Sequence, residues 1–255
     1  MTDEKIIDLI RMPRRRLAIL YEATMPYNDE DCYIKITSHS IRFSTLSPIV
    51  AFEYHIPRTK QMDITRIDLG RKIPDKNFVT NVDNLNIHLA PFSKPSGSES
   101  AKKASDIVFF EFGENKCRFS QQSIKFIGEW LNVKEEKVDL WHLMPNIDLN
   151  EALDGVYFKD AVNRISSTKE SKICLLVNNN GIFIKSKAGR ERVGRKSKSI
   201  GKYSIKLPRI QLQRACNLMK NFSEFWVSVS QNHLILIGKH ENTLMKLLIY
   251  GLKEN

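Results

Sequence analysis

Cysteine is scarce in this chain of 255 residues: Cys32, Cys117, Cys174 and Cys216 are the only four. They lie far apart, none forms a Cys-x-x-Cys pair, and each sits in an apolar stretch. That pattern argues against zinc or a disulfide framework and for buried thiols. Long apolar runs are also missing. No segment approaches the roughly 20 apolar residues needed to cross a bilayer, and "MTDEKIIDLI" opens acidic, unlike a signal peptide. The expectation is an intracellular protein, in cytoplasm or nucleus, without a membrane. The six histidines, His39, His55, His88, His142, His233 and His240, have no ligand spacing to one another or to cysteine. No phosphate-binding glycine loop, Gly-x-Ser-x-Gly, paired-carboxylate nuclease motif or dinucleotide fingerprint occurs. The sequence reads as a non-enzyme with no cofactor and no metal.

Acid is the second shortage. Forty Lys and Arg face 29 Asp and Glu, a formal net charge of +11. Such an excess favours an anionic partner, nucleic acid before a membrane surface. No low-complexity tail carries it. No zinc-finger spacing and no RNA-recognition aromatic box is present, so contact with a nucleic-acid backbone is the natural reading. Apolar residues at 42% and charged residues at 27% are ordinary for a globular chain. The length allows one large domain or two of usual size.

Strand signals dominate what is there. Hairpins are expected at 32–47, 106–120, 173–187 and 225–238, where alternating runs flank turn residues. Asn180-Gly181 is the strongest turn signal, since both residues tolerate positive φ. A helix is expected before each hairpin: 13–25, 82–94, 157–167 and 208–222. Pro13 and Pro208 suit a first helical turn, and Pro91 is expected to end the second helix early. The order helix–hairpin thus occurs four times, which divides the chain into two similar halves. The boundaries read as 1–133 for the first half, 134–149 for a connector and 150–255 for the second half. "KPSGSESAKKAS" (94–105) reads as a polar loop. "KSKAGRERVGRKSKSIGK" (185–202) is dense in Lys and Arg, with Glu191 its one acid, and reads as an exposed loop or strand edge.

The helices share a layout. On a wheel of 208–222, Leu212, Ala215, Leu218, Met219 and Phe222 gather within about 120°. Arg209, Gln213, Arg214, Asn217, Lys220 and Asn221 lie opposite, and no Asp or Glu occurs between Tyr203 and Ser223. A solvated helix face normally mixes signs. In 157–167, Phe158, Ala161, Val162 and Ile165 form the stripe, with Lys159, Asn163, Arg164 and Ser167 opposite, diluted by Asp160. In 13–25, Leu17, Leu20, Tyr21 and Thr24 face Arg14, Arg15 and Ala18, with Glu22 the exception and Ile19 on the polar side.

Two halves of this kind, joined by a connector, resemble a DNA polymerase sliding clamp of the proliferating-cell-nuclear-antigen type. "EALDGVYFKDAVNRISSTKESKICLLVNNNGIFIKSKA" is similar to that family's helix, strand, turn and strand. "SIKLPRIQLQRACNLMKNFSEFWVSVSQNHLILIGKHENTLMKLLIYGL" is similar to its last helix and closing strands. The first half matches over 14–56. The resemblance implies the α+β DNA-clamp (processivity) fold, with two helices packed on antiparallel sheet in each half. It implies a ring, usually a homotrimer, around double-stranded DNA, opened by a clamp loader and tethering DNA polymerase and other replication or repair enzymes. The DNA-facing residues it implies are Arg14, Arg15 and Arg16, then Lys159 and Arg164, then Arg209, Arg214 and Lys220, with Lys94, Lys102 and Lys103 near the second helix. It places a groove for partner peptides at Val138, Leu140, Trp141, His142, Leu143 and Met144, beside Tyr250, Gly251 and Leu252. Clamps of this family are commonly acidic overall, and this chain departs from that. A subunit of a mixed ring, or a viral clamp-like processivity or transcription factor acting as monomer or dimer, is the alternative.

Overall fold

The structure is a computed structural model. It describes residues 8–27, 29–58, 75–93, 107–121, 126–129, 131–135, 152–165, 170–195 and 202–252. These fall into two units. Unit 1 holds the described residues of Met1–Thr45 and Tyr54–Leu140; unit 2 holds those of Leu46–Glu53 and Trp141–Asn255.

Unit 1 begins with β1 (Asp8–Pro13) and α1 (Arg14–Thr24), followed by β2 (Asp31–Ile36) and β3 (Ser40–Leu46); β4 (Val50–Pro57) is divided, with its residues up to Glu53 in unit 2 and those from Tyr54 in unit 1. Then come β5 (Lys76–Asn81), α2 (Val82–Ser93), β6 (Ile107–Phe112), β7 (Lys116–Gln121) and the short β8 (Phe126–Ile127), β9 (Leu131–Asn132) and β10 (Lys134–Glu135). One sheet runs β1–β6–β7–β8, with β9 also on β7; the other runs β10–β5–β2–β3. Their inner faces meet through phenylalanine. Phe43 of β3 stacks on Phe110 of β6, and Phe78 of β5 on Phe112, each at 6.2 Å between ring centroids. Phe119 of β7 lies 4.3 Å from Phe110 and carries the edge of Phe92 from α2. Such ring pairs add about 0.5–1.5 kcal/mol each beyond their burial.

Unit 2 contains β11 (Leu153–Asp154), α3 (Gly155–Ile165), β12 (Lys172–Asn178), β13 (Gly181–Ser186) and β14 (Gly189–Gly194). It continues with β15 (Tyr203–Pro208), α4 (Arg209–Met219), β16 (Glu224–Val229), β17 (His233–His240) and β18 (Thr243–Tyr250). Its sheets run β14–β13–β12–β15 and β18–β17–β16–β11. The stripes read on the wheels are the buried ones: Phe158, Ala161, Val162 and Ile165 on α3, and Leu212, Ala215, Leu218 and Met219 on α4, with Phe222 just beyond it. A side chain at Gly155 would put its Cβ 2.3 Å from the Phe225 ring, so only glycine lets α3 start flush on β16.

All four expected hairpins and helices are present, an α+β architecture with helices packed on antiparallel sheet. Four details differ from expectation. Each helix is preceded directly by a strand (β1, β5, β11 or β15), so the repeating element is strand, helix, strand, strand. Pro13 and Pro208 end strands and stand just before their helices, at φ −59°, ψ 133° and φ −67°, ψ 119°. The proline φ serves extended chain and helix entry equally. The 173–187 hairpin turns on Asn179 and Asn180, because Asn178 pairs with Gly181 and Gly181 itself takes φ +135°. Finally, α2 runs through Pro91 to Ser93. Proline there falls in the last turn, and the Arg14 guanidinium donates to its carbonyl and to that of Phe92.

Three of the four thiols follow the sequence reading. Cys32, Cys117 and Cys216 are buried and Cys174 is half-buried. Burial pushes the Cys32 and Cys216 thiols up to about 12 and raises Cys117 further. A thiol must ionise to attack. Native protein treated with a thiol reagent at mildly alkaline pH should therefore modify Cys174 first, and the other three only on denaturation. Rapid loss of more than one native thiol would contradict the packing of these cores.

Candidate nucleic-acid interface

α1 and α4 carry no acid in their first turns, and both start with arginine. Positive charge at a helix N-terminus opposes the helix dipole, by a few tenths of a kcal/mol per exposed residue. Local helix stability does not select such residues, so their use lies elsewhere.

Arg14 departs from the DNA-facing expectation. It is 9% exposed, and its guanidinium donates from Nε to the Phe92 carbonyl (3.2 Å) and from Nη2 to the Pro91 carbonyl (3.0 Å). It closes the C-terminus of α2, where the chain would otherwise leave carbonyls without donors. The wheel could not show this, because the partner helix lies 78 residues away. Arg15 is exposed and Arg16 half-buried, and both positive charges act on the buried Tyr54 hydroxyl. Desolvation is the larger effect there and raises Tyr54 overall.

In unit 2, Arg214 and Lys220 are exposed on α4, and Arg209 is half-buried at its start. Asn217 is exposed between them, so the outward side of α4 is basic and amide-rich, as its sequence suggests. On α3, Lys159 is half-buried, 4.0 Å from Asp160, and near enough to Cys216 to oppose the rise of that thiol. Arg164 is exposed and holds Glu191 of β14 in a two-pronged bond, Nε to Oε2 at 3.1 Å and Nη2 to Oε1. The Glu191 carboxylate favours the charged guanidinium. Half of the cationic charge expected of α3 is thereby engaged within the unit.

The second helix behaves differently. Lys94, Lys102 and Lys103 lie outside the described residues. Within Val82–Ser93 the sequence has no Lys or Arg and one acid, Asp83. The exposed positions of α2 are Asn84, Ile87 and Pro91. Arg11 is exposed on β1, a strand that the sequence did not suggest.

Of the groove residues, Val138, Leu140, Trp141, His142, Leu143 and Met144 lie outside the described residues. Tyr250, Gly251 and Leu252 line a cavity of about 970 Å³ in unit 2, together with Pro48, Ile49 and Ile205. The tail is pinned by its own backbone: Tyr250 N–H donates to Ile49, Gly251 N–H to Asn232 and Leu252 N–H to Lys206, at 2.8–2.9 Å. Among the described residues no cluster of His, Cys, Asp and Glu could hold a metal, and no helix is long and apolar enough to cross a membrane.

Comparison with solved structures identifies the architecture. Over 98% of its length the chain matches proliferating cell nuclear antigen from Entamoeba histolytica, all of which is covered, at TM-score 0.64 and 10% identity. It matches A. fulgidus PCNA, solved with the C-terminal region of FEN-1, over 98% of this chain and 100% of that one, at TM-score 0.65 and 12% identity. A putative DNA polymerase III beta subunit from Eubacterium rectale matches over 99% of this chain and 67% of its own, at TM-score 0.67 and 13% identity. No family model matches the chain, and no curated protein matches it. The chain has the sliding-clamp fold.

Proposed function

We propose that this clamp-fold chain is a DNA sliding clamp: a ring subunit that encloses duplex DNA without reading its sequence and tethers DNA polymerase and other replication or repair enzymes. The observation that carries the reading is the outward face of α4, where Arg214 and Lys220 are exposed and no acid occurs from Tyr203 to Ser223. Arg15, Arg16, Lys159 and Arg209 extend the same chemistry to α1, α3 and the start of α4. Lysine and arginine on long stems pass from one phosphate to the next, and phosphate contacts carry no base information. Weak contacts of this kind allow sliding, and enclosure supplies the residence time. The chain performs no chemical step in this reading.

The cavity beside Tyr250, Gly251 and Leu252 suits a short apolar peptide from a partner. A. fulgidus PCNA, bound to the C-terminal region of FEN-1, is a precedent in the same fold. A clamp loader would open the ring.

A homotrimer is the simplest ring. Its test is light scattering, with an expected mass of about three times 29.5 kDa. It is followed by retention on circular plasmid that ends when the plasmid is cut. A groove binder would ignore the cut and respond to salt alone, with a slope of about −0.9 per neutralised phosphate. A monomer indifferent to the cut would overturn the reading. The charge of +11 and the uncharged outward face of α2 favour one variant, a ring of unlike subunits with an acidic neighbour. The complex of PCNA2 and PCNA3 from Sulfolobus tokodaii shows that unlike chains of this fold associate.

A further inference from the structure

The basic stretch after residue 185 has no role in the helix faces, and the sheet register shows where much of it goes. One side of the sheet β14–β13–β12–β15 is buried: Ile173, Leu175, Val177, Ile184, Ile205 and Leu207. The opposite side is partly or fully exposed, and pairing arranges it in rows. Arg190 pairs with Lys185, Lys185 with Cys174, and Cys174 with Lys206. In the adjacent row Arg192 pairs with Phe183, Phe183 with Leu176, and Leu176 with Ser204. With strands about 4.8 Å apart, each row spans about 14 Å. Three cations therefore cross the sheet beside a row with an aromatic and an aliphatic side chain at its centre. The Arg190 guanidinium lies over the Phe183 ring, 3.8 Å from its centroid.

No carboxylate stands in either row. Glu191 belongs to the other side of β14, where Arg164 holds it. Glu170, at the hairpin end, accepts the Lys187 backbone N–H at 2.8 Å. The sheet β1–β6–β7–β8 of unit 1 makes a useful contrast. There Glu111 stands opposite Arg118, which donates to it at 2.6 Å, and Ser120 donates to it at 2.8 Å. That face carries its own carboxylate in register with its cation, whereas the two rows of the unit 2 sheet contain none.

We propose that the outward face of the unit 2 sheet binds single-stranded nucleic acid, with Lys185, Arg190 and Arg192 taking phosphates while Phe183 and Leu176 meet bases. A duplex hides the faces of its bases and would leave the apolar row unused. A single strand offers both a backbone for the cations and flat bases for an aromatic or a guanidinium to stack on. An acidic peptide would match the cations but has no flat group for the Phe183–Arg190 stack. The surface is separate from the helix faces and does not depend on ring formation.

The test measures binding of labelled oligo-dT to the full chain across a salt series. The variant Lys185→Ala/Arg190→Ala/Arg192→Ala should bind about fiftyfold more weakly near physiological salt, with a slope lower by about 2. Phe183→Leu keeps apolar bulk and loses the ring; it should weaken binding at least about fivefold with the slope unchanged. Thermal melting of both variants verifies folding. Blunt-duplex binding, which the proposed function assigns to the helix faces, should be little changed in both variants. Unchanged binding by the triple variant or by Phe183→Leu would overturn the proposal. So would an equal loss of blunt-duplex binding in those two variants, or displacement of oligo-dT by a polyglutamate peptide or anionic phospholipid vesicles at comparable concentration. A monomer in light scattering with oligo-dT binding intact would defeat the ring alone.

Discussion

Replacing Arg15, Arg214 and Lys220 together by glutamate is expected to abolish retention on duplex DNA and leave the fold intact. All three side chains are exposed, so each substitution should change stability by less than about 0.5 kcal/mol. Glutamate is a good helix former, and at Arg15, in the first turn of α1, it suits the helix dipole better than arginine does. The DNA term is much larger. Losing three phosphate contacts per subunit lowers the salt slope by about 2.7 and the affinity by roughly two orders of magnitude near physiological salt. Charge reversal adds repulsion to that loss. The measurement is plasmid retention over a salt series, with circular dichroism confirming the fold. Retention equal to that of the unaltered chain would mean that these helix faces do not meet DNA.

Arg14→Ala should have the opposite signature: a large loss of stability and no change in salt slope. The guanidinium satisfies the carbonyls of Pro91 and Phe92 from a site only 9% exposed. Buried acceptors left unpaired cost about 1–3 kcal/mol each. A total of roughly 2–4 kcal/mol follows, a fall in Tm of about 5–15 °C for a domain of this size. Arg14→Lys retains the charge but loses the planar fork that reaches two carbonyls, so it should fall between. Thermal melting gives the stability and the DNA salt series gives the slope. A stable Arg14→Ala protein whose slope falls by about 0.9 would return Arg14 to the DNA contacts. The pair Arg14 and Arg15 thus separates two uses of adjacent, chemically identical residues.

Legibility followed the range of the interaction involved. The apolar stripes of α3 and α4 were readable because they depend on a local repeat of 3.6 residues, and Phe158, Ala161, Leu212 and Met219 are buried as their spacing requires. The hairpins were readable because a turn and its flanking alternation are contiguous. β1, β5 and β15 escaped, being six residues each, stabilised by pairing with distant strands rather than by a turn of their own. The turn at Asn179 and Asn180 differed by one residue because register in a hairpin is set by which face is buried. Of the candidate site, Arg214 and Lys220 are placed as their helix wheel suggests, whereas Arg14 and Arg164 are engaged by partners from other elements.

The sequence alone determined the four hairpins and the helix ahead of each, the buried side of α3 and α4, and the excess of positive charge, because each is a property of neighbours along the chain or of their sum. Only the tertiary structure decided which cations remain outward, since that depends on contacts such as Arg14 with Phe92 and Arg164 with Glu191. It also decided that Lys185, Arg190 and Lys206 share one row. Strand pairing brings together residues that a linear reading keeps apart.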